Sequence, residues 1–151
     1  MPKLVRVEII ALLPTQAGCA VFLGDGSKVI LIYIDPAVGL SINTAMTGQK
    51  APRPLTHDLY MLTLQAFGAQ VSRVIINDVD GDVFYARLIL TAENEIMEKK
   101  IIELDARPSD CLAIAARAEA PLYVTRAVWD SLEDRSSFLD QIKNQGDNDQ
   151  A

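Results

Sequence analysis

Short apolar runs rich in valine and isoleucine alternate with turn residues through most of the chain. In the first half these runs occupy 5–13, 19–23 and 28–34. They predict three strands, because β-branched residues favour extended structure. The third run is almost continuously apolar, which predicts a central strand that is buried on both faces. Asp35 and Pro36 then predict the start of a helix that ends near Gly48, since aspartate is a common helix cap and proline a common first helical residue.

The second half repeats this order of elements. Apolar runs predict strands at 71–76, 83–91 and 96–104, followed by a helix at 109–118. A separate helix is predicted at 56–68, where apolar residues recur on one face. The whole pattern predicts an α+β fold, a single compact domain with helices packed on a largely antiparallel sheet. The repeated order also predicts an internal β-β-β-α duplication.

The end of the chain differs in composition from the rest. A short strand at 121–124 and a short helix around Trp129 complete a domain that we expect to span residues 1–130. From Glu133 onward the chain carries five acidic residues against two basic ones. We therefore predict that residues 131–151 form an acidic helical extension, with a frayed tail at 146–151.

Composition and charge narrow the class of protein. The chain has 151 residues and a formal net charge of −6, which argues against a broad basic face for nucleic acid but leaves a local basic groove open. No apolar run is long enough to cross a membrane, and Glu8 and Pro14 interrupt the N-terminal apolar stretch. We therefore expect no membrane association and a cytoplasmic protein. Cys19 and Cys111 lie in apolar surroundings and are expected to be buried thiols.

Two short polar segments stand directly before predicted helices. They are Arg53-Pro54-Leu55-Thr56-His57-Asp58 and Asp105-Ala106-Arg107-Pro108-Ser109-Asp110. Each combines an arginine, a proline, a hydroxyl residue and an aspartate, and the first contains the only histidine of the chain. The start of a helix attracts anions, because its first N–H groups are unpaired and its dipole is positive there. We therefore predict that a chemical site is assembled from these two segments.

Together with Gly81-Asp82-Val83-Phe84-Tyr85-Ala86, these segments resemble the motifs of the bifunctional nuclease domain family. The resemblance covers about residues 5–128, with the three motifs in order. It implies a compact α+β domain, a homo-oligomer for which a dimer is favoured, and an activity on RNA, DNA or both. One position departs from the family pattern, because Val38 stands where a glutamate is expected. If that glutamate serves the chemistry, activity is lost unless Asp35 takes its place.

Phosphodiester hydrolysis needs a base or a metal ion that activates water, and groups that stabilise charge on the phosphate and the leaving oxygen. His57 is the candidate base, because a histidine side chain titrates near neutral pH. Asp58, Asp105 and Asp110 are the other catalytic candidates. Their carboxylates could also hold Mg²⁺ or Mn²⁺, which prefer oxygen ligands, so either ion is a candidate cofactor.

Four further residues are candidates for binding the substrate. Arg53 and Arg107 have the side chain that binds phosphate bidentately, and Thr56 and Ser109 supply hydroxyl groups. The same residues also have a purely structural interpretation, in which the hydroxyls cap the helices and the arginines pair with nearby aspartates. Two hypotheses therefore stand. The protein is a nuclease, or it is a dimeric, non-catalytic binding or regulatory module that has lost or never had nuclease activity.

Overall fold

The structure, a computed structural model, describes residues 3–149. Its strands are β1 (Leu4–Thr15), β2 (Gly18–Gly24), β3 (Val29–Ile34), β4 (Ala69–Asp80), β5 (Val83–Glu93), β6 (Lys99–Ala106) and β7 (Leu122–Thr125). Its helices are α1 (Pro36–Thr47), α2 (Thr56–Ala66), α3 (Pro108–Ala118), α4 (Arg126–Ser131) and α5 (Ser136–Asp149). Within the described residues, no helix combines the length and the apolar character that a membrane span requires.

All seven strands form one sheet in the order β3-β2-β1-β7-β4-β5-β6. Neighbouring strands are antiparallel except β4 and β7, which run parallel. This confirms the prediction of an α+β fold with a largely antiparallel sheet. The short strand β7 joins the two halves, because it pairs with β1 on one side and β4 on the other. Each half has three successive strands and then a helix, but the internal duplication stays a prediction.

The prediction that β3 is a central strand was wrong. β3 lies at the edge of the sheet, its side chains alternate in burial, and Tyr33 is exposed. The strand that is buried along its whole length is its neighbour β2. An apolar run shows that both faces of a strand are covered at several positions, but it does not show which strands lie beside it.

Helices α1 and α5 pack on opposite faces of β2. Val21 and Leu23 belong to the main core, which also contains apolar residues of α1 and α3. Ala20 and Phe22 instead pack with Leu139 of α5 in a second, smaller cluster. Alternate residues of a strand point to opposite faces, so α5 covers the face of the sheet that α1 and α3 leave open.

This packing bears on the extension predicted at 131–151. Helix α5 continues through Asp149, and residues 150–151 of the predicted frayed tail lie outside the described residues. The boundary between a domain at 1–130 and an extension stays a prediction, although Leu139 places part of the extension in contact with the sheet.

We predict that Leu139→Ala lowers the free energy of unfolding by about 2–5 kcal/mol, because its side chain is 4% exposed and truncation leaves a cavity. Leu40→Ala, at a position on α1 that is 67% exposed, is the matched control and changes the value little. Urea unfolding followed by circular dichroism measures both. Equal stability of the Leu139→Ala and wild-type proteins would show that α5 is a dispensable addition to the fold.

Candidate functional site

The two motif segments meet where α2 and α3 begin. His57 lies in the first turn of α2, and Asp110 lies in the first turn of α3. His57 Nε2 lies 3.0 Å from Asp110 Oδ1, and Arg107 donates from Nε to Asp110 Oδ2 at 2.9 Å. The other ring nitrogen, Nδ1, lies 2.7 Å from the hydroxyl of Ser41 on α1. The four side chains therefore form a continuous hydrogen-bonded chain across three helices.

The charge of Asp110 determines the proton position on His57. Burial raises the pKa of the Asp110 carboxyl, but hydrogen bonds from Arg107 and His57 outweigh burial, so this pKa lies below its usual value. Asp110 is therefore ionised at neutral pH and only accepts hydrogen bonds, so Nε2 of a neutral His57 carries the proton. Nδ1 then accepts a hydrogen bond from the hydroxyl of Ser41.

Asp58, the next residue along α2, faces a different partner. Arg117 donates from Nε to Asp58 Oδ1 at 2.7 Å, and the backbone N–H of Leu55 donates to Oδ2 at 3.0 Å. The hydrogen bond from Arg117, followed by that from Leu55, lowers the pKa of the Asp58 carboxyl. The Arg117 side chain is 8% exposed, and its Nη1 also donates to the backbone oxygens of Ser41 and Ala113. Arg117 thus connects α1, α2 and α3.

Asp105 and Arg53 do not join the hydrogen-bonded chain. Asp105 lies on the edge strand β6 and pairs with Arg87 of the neighbouring strand β5, with Nη1 and Oδ1 2.7 Å apart. Arg53 is exposed in the loop before α2. The two arginines predicted to bind the substrate, Arg53 and Arg107, therefore belong to different parts of the surface.

Two open clefts adjoin the first turn of α2. The histidine cleft has a volume of about 370 Å³ and is lined by Thr56, His57, Tyr60, Leu88, Leu104, Asp105, Ala106, Asp110 and Ile114. The basic cleft has a volume of about 460 Å³ and is lined by Gln49, Lys50, Ala51, Arg53, Pro54, Asp58, Met61, Leu62, Gln65 and Arg117. The consecutive residues His57 and Asp58 thus line different clefts, and the start of α2 belongs to both.

The carboxylates do not form a metal site in this arrangement. The three candidates bind three different arginines, in the pairs Asp58–Arg117, Asp105–Arg87 and Asp110–Arg107. Within residues 3–149 no group of three or more histidine, cysteine, aspartate or glutamate side chains is placed to hold a metal ion. The donor set expected from the sequence for Mg²⁺ or Mn²⁺ is therefore not brought together.

The predicted helix caps need a correction. The residues that precede the helices are Leu55 for α2 and Arg107 for α3, so Thr56 and Ser109 lie inside the first turns. Proline at 108 can begin α3 because the first helical N–H needs no partner. Thr56 lines the histidine cleft, whereas Ser109 is buried and lines neither of the two clefts.

Val38 and Asp35, which the family pattern singled out, lie at the start of α1. Val38 is buried in the main core and lines neither cleft, so the carboxylate missing there leaves no gap in the hydrogen-bonded chain. Asp35 caps α1 through the backbone N–H of Ala37. The pKa of Arg107 is raised, chiefly by its hydrogen bond with Asp110. The negative charge of Asp35 makes a smaller contribution in the same direction.

Sequence reasoning missed Ser41, Arg117 and Arg87. Arg117 follows Asp110 by seven residues, or about two helical turns, so its position on the same side of α3 was a usable signal. Arg87 lies within an apolar run and pairs with a residue on the neighbouring strand. Nothing in the sequence around Ser41 distinguishes it from other serines, since its partner is sixteen residues away and on another helix.

Comparison with known proteins agrees with the motifs. Residues 21–136 match the Bifunctional nuclease domain. An uncharacterized protein of Mycobacterium tuberculosis is 36% identical over 104 residues, which are 69% of this chain and 58% of that protein. Bifunctional nuclease 1 of Oryza sativa subsp. japonica is 30% identical over 105 residues, which are 69% of this chain and 31% of the rice protein. The matched part of this chain thus spans little more than half of the mycobacterial relative and about a third of the rice relative.

We predict that His57, when neutral, carries its proton on Nε2, because the ionised Asp110 accepts from that nitrogen. Nitrogen-15 NMR of the imidazole ring measures the two nitrogens directly, and the single histidine makes assignment unambiguous. Asp110→Asn is the comparison, since its amide can accept or donate and weakens the preference. A proton on Nδ1 in the neutral wild-type protein would contradict the arrangement.

We predict that Asp58→Asn lowers the free energy of unfolding at pH 7 by about 1–3 kcal/mol, because it leaves the buried Arg117 without its counter-ion. The pKa of the Asp58 carboxyl is lower in the folded protein than in the unfolded chain. Its negative charge therefore stabilises the fold at pH values above about 4, the usual pKa in an unfolded chain. This contribution is lost as pH falls through the folded pKa.

The difference between the wild type and Asp58→Asn should therefore narrow below about pH 4. Chemical unfolding at a series of pH values measures it. Asp82→Asn, at an exposed residue of the β4–β5 turn, is the matched control. A difference that stays constant from pH 7 to pH 2 would refute the role given to the Asp58 charge.

Proposed function

This chain belongs to the bifunctional nuclease domain family, and we propose that it is a nuclease that hydrolyses phosphodiester bonds of RNA, DNA or both. The observation that carries the proposal is the contact of His57 with Asp110 at the wall of an open cleft, with the exposed Arg107 bound to the same carboxylate. The rice relatives named bifunctional nucleases support the same class of reaction.

His57 transfers the proton in this proposal. Its Nδ1 faces the hydroxyl of Ser41, which is buried, so a water molecule in the cleft can meet the ring only at Nε2. The Ser41 hydroxyl both donates and accepts hydrogen bonds, and it therefore supports either neutral form of the ring. When water replaces Asp110 at Nε2, the neutral ring with its proton on Nδ1 accepts the proton of that water while the oxygen attacks phosphorus. The bond from phosphorus to the leaving oxygen then breaks, and that oxygen takes up the proton that the ring accepted, which restores the neutral ring.

Arg107 binds the reacting phosphate. Its side chain is 67% exposed and contacts Asp110 through Nε, so its two terminal nitrogens are available for non-bridging phosphate oxygens. Because Arg107 and His57 contact the same carboxylate, a phosphate bound to Arg107 lies next to Nε2.

The remaining candidates have supporting roles in this proposal. Asp105 lines the cleft and is exposed, and it orients the attacking water. Thr56 binds the substrate from the rim of the cleft, and Ser109 supports the first turn of α3 from the core. Asp58 positions α2 through Arg117 and takes no part in the chemistry.

No step of the proposal passes through a metal ion, because the carboxylates are each bound to a separate arginine. Nucleic acid is the proposed substrate. The homodimer and the cytoplasmic location that we expected from the sequence stay predictions.

A second candidate function, a non-catalytic binding module, is favoured by one specific observation. Both nitrogens of His57 are hydrogen-bonded, and the three candidate carboxylates are all paired with arginines. Such an arrangement also suits a rigid helix junction. The two functions differ in turnover, because a binding module gives saturable binding of nucleic acid or another anion without repeated cleavage.

We predict that the purified protein cleaves labelled single-stranded RNA or DNA with multiple turnover and that His57→Gln lowers the rate by about 10²–10⁴-fold, the usual contribution of a positioned acid or base. Thr63→Gln is the matched control, because it places the same side chain at an exposed position of the same helix. Gel analysis of end-labelled strands measures the rates.

The assay is run with EDTA and, separately, with Mg²⁺ or Mn²⁺. We expect the cleavage rate of His57→Gln to be lower than that of the wild type under both conditions. Equal cleavage by His57→Gln and the wild type would point to a contaminating nuclease, and saturable binding without turnover by the wild type would favour the binding module.

A further inference from the structure

We propose that the basic cleft is a second substrate subsite that holds a backbone phosphate of a single-stranded nucleic acid, while the neighbouring part of the strand lies in the histidine cleft. This inference rests on the proposed function, because it assigns the class of substrate and the path of the strand. It concerns residues that the proposed chemistry does not use.

The charges that line the basic cleft carry the inference. Three cations, Lys50, Arg53 and Arg117, line it together with one carboxylate, Asp58. Asp58 is already paired with Arg117. Lys50 and Arg53 are exposed, and neither forms an ion pair with another residue in the described range 3–149. Two uncompensated positive charges thus flank one cleft of a chain whose net charge is −6.

The two clefts differ in the ligand chemistry that they favour. The histidine cleft contains the carboxylates Asp105 and Asp110, which repel a phosphate except beside Arg107. Its other walls include Tyr60, Leu88 and several further apolar side chains, and such surfaces suit a nucleobase or a sugar. The basic cleft has the opposite character, since cations and the amides of glutamine residues provide donors for phosphate oxygens.

The position of the clefts links them along one strand. Pro54 and Asp58 line the basic cleft, whereas Thr56 and His57 line the histidine cleft. A strand that places a phosphate beside Arg53 therefore crosses the first turn of α2 to reach His57. A single strand fits this arrangement better than a duplex, because the rest of the acidic surface repels the higher charge density of a duplex.

Binding is tested apart from cleavage. We predict that Lys50→Gln/Arg53→Gln, made in the His57→Gln background, weakens binding of a fluorescein-labelled single-stranded DNA by about tenfold or more at low salt. The slope of log affinity against log salt should fall in magnitude by about 0.7, the contribution of one phosphate contact on a single strand. Fluorescence anisotropy over a salt series measures both quantities.

Lys99→Gln/Lys100→Gln in the same background is the control matched in charge. These lysines are exposed at the far end of β6, about 17–20 Å along the strand from Asp105. A thermal melt verifies that both double variants are folded, which their exposed positions favour. The inference expects the control to keep the affinity and the salt slope of the His57→Gln parent.

Each outcome decides between the proposals. An equal loss of DNA affinity in both double variants, or no loss of affinity in Lys50→Gln/Arg53→Gln, would overturn the basic cleft as the phosphate site. Absence of any DNA binding by the parent would overturn it as well. Loss confined to Lys50→Gln/Arg53→Gln supports the subsite even if the wild type shows no turnover, and in that case the nuclease proposal fails while the subsite stands.

Discussion

The buried guanidinium of Arg117 is the interaction on which the site depends. It donates to Asp58 of α2 and to backbone oxygens of α1 and α3, so one side chain connects the three helices at the place where the two motif segments meet. A buried arginine is stable only when it is paired and its donors have partners. Its partners fix the first turn of α2, and His57 is thereby held between Ser41 and Asp110.

This junction separates two kinds of surface. On one side of the start of α2, the hydrogen-bonded chain through His57 ends at the exposed Arg107. On the other side, Lys50 and Arg53 line a cleft, and neither is ion-paired with another residue of the described range 3–149. An acidic protein can therefore carry a local site for an anionic strand, because short-range positive potential at a cleft does not require a positive net charge.

Much of the fold could be predicted from the sequence. The features that could not be predicted have one physical cause in common. Local patterns predict where strands and helices lie, and the motif at 105–110 marked the start of α3 correctly. The edge position of β3 was missed because strand order depends on pairing between distant segments. Arg53 and Arg107 carry the same side chain in similar motifs, yet Arg53 lines the basic cleft whereas Arg107 contacts Asp110.

The site itself was predictable in its composition but not in its pairing. The sequence marked His57, Asp58 and Asp110 as one set of candidates. In the structure the adjacent residues His57 and Asp58 bind different partners, Asp110 and Arg117. Ser41 carries no motif, and the packing of α1 and α2 on α3 brings it to His57. Partner choice among charged side chains is a property of the assembled helices, and a single sequence does not display it.

Chemical rescue tests the central claim most directly, because it separates chemistry at His57 from support of the helix junction. The measurement is the cleavage rate of single-stranded RNA by purified His57→Ala, with and without added imidazole. The account predicts a rate far below that of the wild type that rises with imidazole concentration. Cleavage by His57→Ala at the wild-type rate, unchanged by imidazole, would contradict it.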